Sequence, residues 1–335
     1  MKKNIGLLLS IIITHVCGQL VSTPLYFNSR ASNIFIKKLL LDFMTHSFNK
    51  YIDHKFQITT DSIPLLKQLN IKNNNKVDIL ISNHFSSIDF MLLFYLLNCV
   101  ERRDIIIVLK KGMLLYPSIN ITVTPNTFIK LNRNWENDKD ILQTAIKKIK
   151  SGIIIMFPEG TRINKNNYIK SVKYCKENNI IPNKKLLIPK VKGLFNIVTI
   201  LKKNNSYGNL FDVTSVVPEI TTNYTQHNYD LMRLFTTDIS ESYHFIRKLD
   251  LPNYYDDYHV FKNWIYHQWN TKDFIISNYK TYNYKQLKGR TQQKNITTCY
   301  ILLIVYFYLL KKYPYHVASL FGVSYILPAI EYFRL

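Results

Sequence analysis

The sequence predicts an α/β fold, a sheet flanked by helices, with membrane-associated helices at both ends. Three features lead to it. Short β-branched runs alternate with helical patterns between residues 77 and 188, uncharged apolar tracts lie near both ends, and apolar residues make up 47% of 335. Strands alternating with helices imply an α/β sheet. That length and apolar share support a buried core and exclude a disordered, collagenous or disulfide-stapled chain.

The elements follow in order. After Lys2 and Lys3 no charged residue occurs until Arg30, and within that gap residues 5–21 read IGLLLSIIITHVCGQLV. Such a tract approaches the roughly 20 residues of a spanning helix. A basic start before an apolar run also describes a cleaved signal peptide. Residues 1–30 are therefore expected to form a membrane anchor, with the signal peptide as the alternative. Residues 77–81 (VDILI) and 104–109 (DIIIVL) read as buried strands, and residues 90–97 between them as an apolar helix behind Ser86 and Ser87. Residues 139–150 have a helical period, with Ile141, Leu142, Ala145, Ile146 and Ile149 on one side and lysines opposite. Gly152 ends that helix, strands are expected at 153–157 and 185–188, and residues 204–209 read as a loop. No internal repeat is present.

The C-terminal region carries two more apolar tracts, 298–310 and 315–330, separated by Lys311 and Lys312. Each is short for a full span, so a tilted pair, a re-entrant hairpin or interfacial helices all fit. Their tyrosines suit the headgroup zone. Two buried core helices are the plainer alternative. Just upstream, Lys280, Lys285, Lys288, Arg290 and Lys294 occur with no acidic residue among them, which fits an anionic bilayer face or a solvated basic loop.

Charge and rare residues narrow the function. Lys+Arg 44 against Asp+Glu 22 leaves a net +22, which implies an anionic partner: nucleic acid, a membrane surface or a phosphorylated substrate. The four cysteines, Cys17, Cys99, Cys175 and Cys299, share no short spacing, so no thiolate metal site or disulfide framework is expected. Nine glycines yield no GxGxxG, GxxxxGK[ST] or GxSxG, which removes the dinucleotide-fold, P-loop and serine-hydrolase readings at motif level.

Two constellations carry chemistry. Asn83-His84-Phe85-Ser86-Ser87-Ile88-Asp89 follows a strand and precedes a helix, at the sheet edge where α/β proteins bind ligands. If His84 lies before the helix and Asp89 in its first turn, the carboxylate can accept from one ring nitrogen. The other nitrogen then carries the lone pair and can act as a general base. The pair is also compatible with a satisfied loop histidine. Phe157-Pro158-Glu159-Gly160-Thr161-Arg162 ends a strand in a turn that brings a carboxylate, a hydroxyl and a guanidinium together. Arginine grips phosphate through a planar fork, and turn N–H groups can add to it.

Here the sequence resembles a family. His84 through Asp89, with Asn83 before them, resembles the NHxxxxD block of glycerophospholipid acyltransferases, and residues 157–162 resemble their FPEGTR block. Residues 133–138 (RNWEND) are similar to the RxWExD block of the eukaryotic 1-acylglycerol-3-phosphate acyltransferase branch, and residues 187–193 (LIPKVKG) to its LxPRTKG block. Residues 211–214 (FDVT) resemble its YDVT tract. Trp264 and residues 269–273 (WNTKD) resemble the C-terminal extension shared with lysocardiolipin and lysophosphatidylinositol acyltransferases.

The resemblance implies a glycerophospholipid-acyltransferase-like sheet beside membrane-embedded helices. It implies an acyltransferase domain at 31–220, a C-terminal extension at 221–295 and membrane segments at 296–335. An integral protein of an endoplasmic-reticulum-like membrane is expected. His84 would deprotonate the glycerol hydroxyl of a lysophospholipid, with Asp89 orienting it. Arg133 and Arg162 would hold the acceptor phosphate, with Glu159, Gly160 and Thr161 in the same turn, and Pro189 and Lys190 would line the acyl or acceptor site. The implied partners are acyl-CoA, a lysophospholipid and the bilayer. No metal or cofactor is implied, coenzyme A entering only as acyl carrier. Lys190 replaces the family's usual arginine and Val191 its threonine, and Lys130 stands where an aromatic residue is usual. The expected acceptor is 1-acyl-sn-glycerol-3-phosphate, giving phosphatidic acid. Lysophosphatidylinositol and lysocardiolipin are the alternatives. A hydrolase using the same dyad on water is a third reading, and a nucleic-acid binder rests on charge alone, with no zinc or RNP signature beside it.

Overall fold

A computed structural model describes residues 54–71, 75–86, 88–110, 128–132, 134–221 and 239–289, with scattered positions between 42 and 49 and between 297 and 313. The chain divides into two compact units.

The larger unit, residues 54–93 and 136–287, is an α/β arrangement. Its strands are β1 (Lys55–Thr59), β2 (Val77–Ser82), β5 (Gly152–Met156), β6 (Tyr207–Val216), β7 (Glu241–Leu249) and β8 (Tyr284–Leu287). β2 lies between β5 and β6 and is parallel to both. β6 and β7 are antiparallel, β7 and β1 parallel, and β1 and β8 antiparallel. All six residues of β2 and all five of β5 are buried. That accounts for the apolar runs Ile79–Ile81 and Ile153–Met156, since a parallel strand covered on both faces has no polar side to alternate with. The helices of this unit are α1 (Ile63–Asn70), α3 (Trp135–Lys148, from its second residue), α4 (Lys165–Glu177), α5 (Val191–Lys203) and α6 (Tyr258–Ser277). α2 (Asp89–Cys99) continues from this unit into the other.

The second unit holds β3 (Ile105–Lys110) and β4 (Phe128–Leu131), which pair in parallel. Within it the Tyr95 hydroxyl donates to Asn49 Oδ1 at 2.7 Å and accepts from Gly289 N–H at 2.9 Å.

Among the described residues no helix is long and apolar enough to cross a membrane. The apolar tracts at 5–21 and 315–330 lie outside the described residues, and 298–310 lies mostly outside them.

Expectation and structure part in three places. Residues 185–188 form no strand but a loop that runs on from the bend at 184–186. Their backbone donors go to side chains instead: Lys184 and Lys185 N–H to the Asp273 carboxylate, Leu187 N–H to Glu159 and Ile188 N–H to Ser171 Oγ. Residues 207–209, read as loop, already belong to β6. On α3 the apolar stripe is narrower than its period suggests, because Leu142 and Ile146 are buried while Ile141 is exposed.

A buried polar row crosses the sheet. His54 Nδ1 meets Ile239 O at 3.1 Å and His54 Nε2 meets Ser242 Oγ at 2.7 Å. His244 Nε2 meets the same hydroxyl at 2.7 Å, and His244 Nδ1 meets Ser215 Oγ at 3.0 Å. The His244 ring stacks on Phe56 at 3.7 Å. Burial lowers the pKa of both histidines, and for His244 well below 6.5; nearby Glu241 pulls His54 partly back up, and His54 pushes His244 further down. Both rings are neutral in the native state at neutral pH. Because the unfolded chain binds these protons first, the stability they allow is complete above 6.5 and is lost as pH falls toward the native values. Each histidine should contribute a slope of about 1.4 kcal/mol per pH unit over that window. Denaturant unfolding from pH 7.5 to 5 should show this slope reduced in His244→Phe; parallel curves for the two proteins would refute it.

Candidate active site

The site is built on the end of β2. Asn83, fully buried, turns its amide onto β6: Nδ2 donates to Ser215 O and Oδ1 accepts from Ser215 N–H, both at 2.9 Å. His84 follows in the connection, and Asp89 opens α2. The Asp89 carboxylate is 3% exposed. Its Oδ2 accepts from Phe85 N–H at 2.6 Å and Ser86 N–H at 2.9 Å, and its Oδ1 accepts from the Ser86 hydroxyl at 2.9 Å. His84 Nδ1 lies 2.9 Å from the same Oδ2. An oxygen that already takes two N–H bonds can only accept from the ring, so Nδ1 carries the proton and Nε2 the lone pair. The His84 side chain is 20% exposed, and its ring stacks on Phe157 with centroids 4.4 Å apart.

The turn at 157–162 grips the backbone of His84 from both sides. Glu159 Oε1 accepts from His84 N–H at 3.1 Å, and Ile163 N–H donates to His84 O at 3.0 Å. Glu159 Oε2 accepts from Leu187 N–H at 3.3 Å, and Lys190 N–H donates to Pro158 O at 2.7 Å. Glu159 is 1% exposed, with both oxygens used internally. Burial pushes its carboxyl up to about 8, against the pull of those two N–H groups and the Lys272 ammonium. Gly160 sits at φ +70 with the Lys190 side chain beside it. Asn167 Nδ2 donates to Thr161 Oγ1 at 3.3 Å and to Arg162 O at 2.9 Å, steadying the turn's far end.

The structure thus brings His84, Asp89, Glu159, Gly160 and the Pro189–Lys190 segment together, with Thr161 and Arg162 half-buried in the same turn. Pro189 is buried and Lys190 exposed. Arg133 lies outside the described residues.

Several contributors lie in stretches the sequence singled out, Asn83 in the first block, Asp212 in FDVT and Lys272 and Asp273 in WNTKD, but with no role assigned to them. Asn83 stood in the first block without a role, because its partner Ser215 is 132 residues away. Lys272 is fully buried on α6; its ammonium pairs with Asp212 Oδ1 at 2.5 Å and donates to Val213 O at 2.7 Å. Burial lowers its pKa, with Asp212 opposing. Arg247 NH2 meets the other oxygen of Asp212 at 2.5 Å. Asp273, next on α6, holds Lys184 and Lys185 N–H at 2.9 and 2.6 Å.

With this geometry in hand, the relatives become informative. The acyltransferase family model matches residues 66–216, the span that carries His84, Asp89 and the 157–162 turn. Over that span the chain is similar to the acyltransferase family. An uncharacterized acyltransferase of Schizosaccharomyces pombe is 25% identical over 284 residues, covering 79% of this chain and 80% of that protein. Lysocardiolipin acyltransferase 1 of Gallus gallus is 26% identical over 149 residues, 42% of this chain and 39% of its own. The 1-acyl-sn-glycerol-3-phosphate acyltransferase 2 of Brassica napus is 23% identical over 208 residues, 59% of this chain and 50% of its own. Lys272 and Asp273 fall beyond the matched span, yet α6 braces the loop that leads to Pro189.

Glu159 makes a pH prediction. Its proton is held to about pH 8 in the native state against 4.5 in the unfolded chain. The stability from this group is complete below 4.5 and is lost as pH rises through about 8, with a slope near ~1.4 kcal/mol per pH unit between them. Glu159→Gln has no proton to lose there. Its thermal-unfolding curve should fall less between pH 6 and 9 than that of the unsubstituted protein; an equal fall would show that Glu159 is ionised throughout.

Proposed function

We propose that this protein moves a fatty acyl group from acyl-CoA to the free glycerol hydroxyl of a lysophospholipid, with 1-acyl-sn-glycerol-3-phosphate as acceptor and phosphatidic acid as product. The observation that carries the reading is the 2.9 Å bond from His84 Nδ1 to Asp89, which leaves the Nε2 lone pair for a substrate proton. Nε2 takes the hydroxyl proton while the alcohol oxygen attacks the thioester carbonyl. The tetrahedral intermediate then collapses, the thiolate of coenzyme A leaves, and the imidazolium returns the proton to sulfur. Asp89 stabilises the imidazolium as it forms, and general-base help of this kind is worth roughly 10²–10⁴-fold. No side-chain nucleophile is needed.

Arg162, Lys190 and Arg133 are assigned to the acceptor phosphate, with Gly160 and Thr161 giving the turn its shape and Pro189 bordering the site. Glu159 acts by holding the backbone of His84 rather than by touching substrate. The net charge of +22 favours an anionic acceptor. A lysocardiolipin acceptor is the second reading, supported by the similarity to lysocardiolipin acyltransferase 1 over 149 residues.

A membrane setting fits both acceptors. Ile301, Ile304, Val305 and Tyr308 fall at helical spacing and are 44–70% exposed, with Lys311 and Lys312 following. An apolar stripe ending in cations suits an anionic bilayer surface.

Membranes containing the protein, given labelled acyl-CoA and a panel of lysophospholipids, should yield labelled phosphatidic acid. Labelled free fatty acid without any acceptor would point to hydrolysis instead. His84→Ala should lower transfer by at least about 100-fold while the protein still accumulates, and near-normal turnover would remove His84 from the reaction. Arg162→Ala should raise KM for the phosphorylated acceptor roughly tenfold, as loss of a charged hydrogen bond predicts, with KM for acyl-CoA unchanged. An unchanged acceptor KM would free Arg162 from the phosphate role.

A further inference from the structure

The buried polar row described above does not stop in the sheet. We propose that Ser215 and His244 are positioning residues for His84: a one-way chain of hydrogen bonds running from His54 through Ser242, His244 and Ser215 fixes the Asn83 clamp from which the base is hung. The proposal rests on His84 being the base.

Donors and acceptors leave one arrangement. Ile239 O can only accept, so His54 Nδ1 donates to it at 3.1 Å and His54 Nε2 must accept. The single hydroxyl proton of Ser242 is thereby committed to His54 Nε2 at 2.7 Å. His244 Nε2, also 2.7 Å from that hydroxyl, must therefore donate to it, which leaves His244 Nδ1 as acceptor. Ser215 Oγ then donates to His244 Nδ1 at 3.0 Å. Every ring is used at both nitrogens, and both are neutral because burial disfavours their charged forms.

The chain ends at the residue whose backbone N–H and C=O are both taken by Asn83 at 2.9 Å. Asn83 is fully buried and directly precedes His84. The side chain of Ser215 is thus fixed from β7 and its main chain holds the start of the catalytic connection. A satisfied buried polar row specifies one arrangement where an apolar one would pack almost as well in several. That distinction matters here, because a displacement on the order of 1 Å at a reacting group can cost about 100-fold in rate.

The test compares kcat and KM in membranes for Ser215→Ala, Ser215→Thr, Ser242→Ala and the double variant Ser215→Ala/Ser242→Ala. Ile246→Val, on β7 but outside the chain, serves as a control, with the thermal midpoint of each protein measured. Ser215→Ala should lower kcat roughly tenfold with both KM values unchanged, and Ser215→Thr, which keeps the hydroxyl, should recover most of it. Ser242→Ala should lower kcat in the same way. The double variant should lose little more than either single change, since a chain broken at one link has no more positioning to lose. Should Ser215→Thr fail to fold, the comparison of Ser242→Ala with the double variant decides. The proposal is overturned if kcat follows the thermal midpoint along the same line as Ile246→Val, if the losses multiply, or if KM moves instead of kcat. Activity surviving His84→Ala overturns both this proposal and the functional reading beneath it. An inactive His84→Ala beside a fully active Ser215→Ala overturns this proposal alone.

Discussion

The site depends on one carboxylate being saturated with donors. Asp89 receives two backbone N–H groups, the Ser86 hydroxyl and the His84 ring. Two consequences follow from that crowding. The bonds to Phe85 and Ser86 curl the connection back on α2, which brings a histidine five residues upstream within reach of the carboxylate. They also turn Asp89 into a pure acceptor, so the tautomer of His84 is dictated by protein rather than by solvent. A lone Asp–His contact at a surface would do neither, because a mobile, hydrated carboxylate could swing away or yield its bond to water.

Around that pair buried polar groups hold the backbone in place. Glu159, buried and protonated up to about pH 8, accepts from the His84 N–H, and Asp212 sits fully buried between Lys272 and Arg247. Ion pairs of this kind contribute little net stability, because desolvation offsets most of the attraction. Their value lies in direction: removing one partner leaves the other charged and unpaired, so the arrangement tolerates few alternatives. α6 enters the site through this cluster. Lys272 ties it to β6 at Val213, two residues from the Ser215 that carries Asn83, and Asp273 ties it to the loop before Pro189. The segment beyond the family-matched span therefore acts on the site by bracing both of its flanks.

Local chemistry was legible in the sequence and distant partnership was not. The strands at 77–82, 105–110 and 152–156 announce themselves by short apolar runs rich in Ile and Val, and α2 by its apolar length. The His84–Asp89 pair and the 157–162 turn are short-range patterns, readable because each is specified by neighbours in sequence. Residues 185–188 misled because apolar, β-like composition marks burial, whereas a strand also needs a partner's carbonyls. Here Asp273, Glu159 and Ser171 supply the acceptors from 88, 28 and 17 residues away. Similarly, Ser215, Ser242 and His244 look like ordinary strand residues until the pairing of β6 with β7 sets Ser215 opposite His244.

The same dependence of one block on another explains a glycine. Gly160 adopts φ +70, a left-handed conformation that a side chain disfavours, and a Cβ there would come within 3.2 Å of Lys190 Cδ. Either constraint alone could be relieved, the first by an asparagine and the second by a shift of a flexible chain. Together they require that the turn bearing Arg162 and the loop bearing Lys190 approach each other with nothing between them, and the Lys190 N–H bond to Pro158 O at 2.7 Å holds that approach. The absence of a Cβ is thus what lets the Lys190 stem lie against the turn at Gly160, with Cε and Nζ each 3.7 Å from where that atom would stand. An ammonium is a point charge with no preferred plane, while a guanidinium imposes one. Under the proposed function, lysine at position 190 in place of the arginine usual in the resembled family offers the acceptor phosphate a charge without a directional fork.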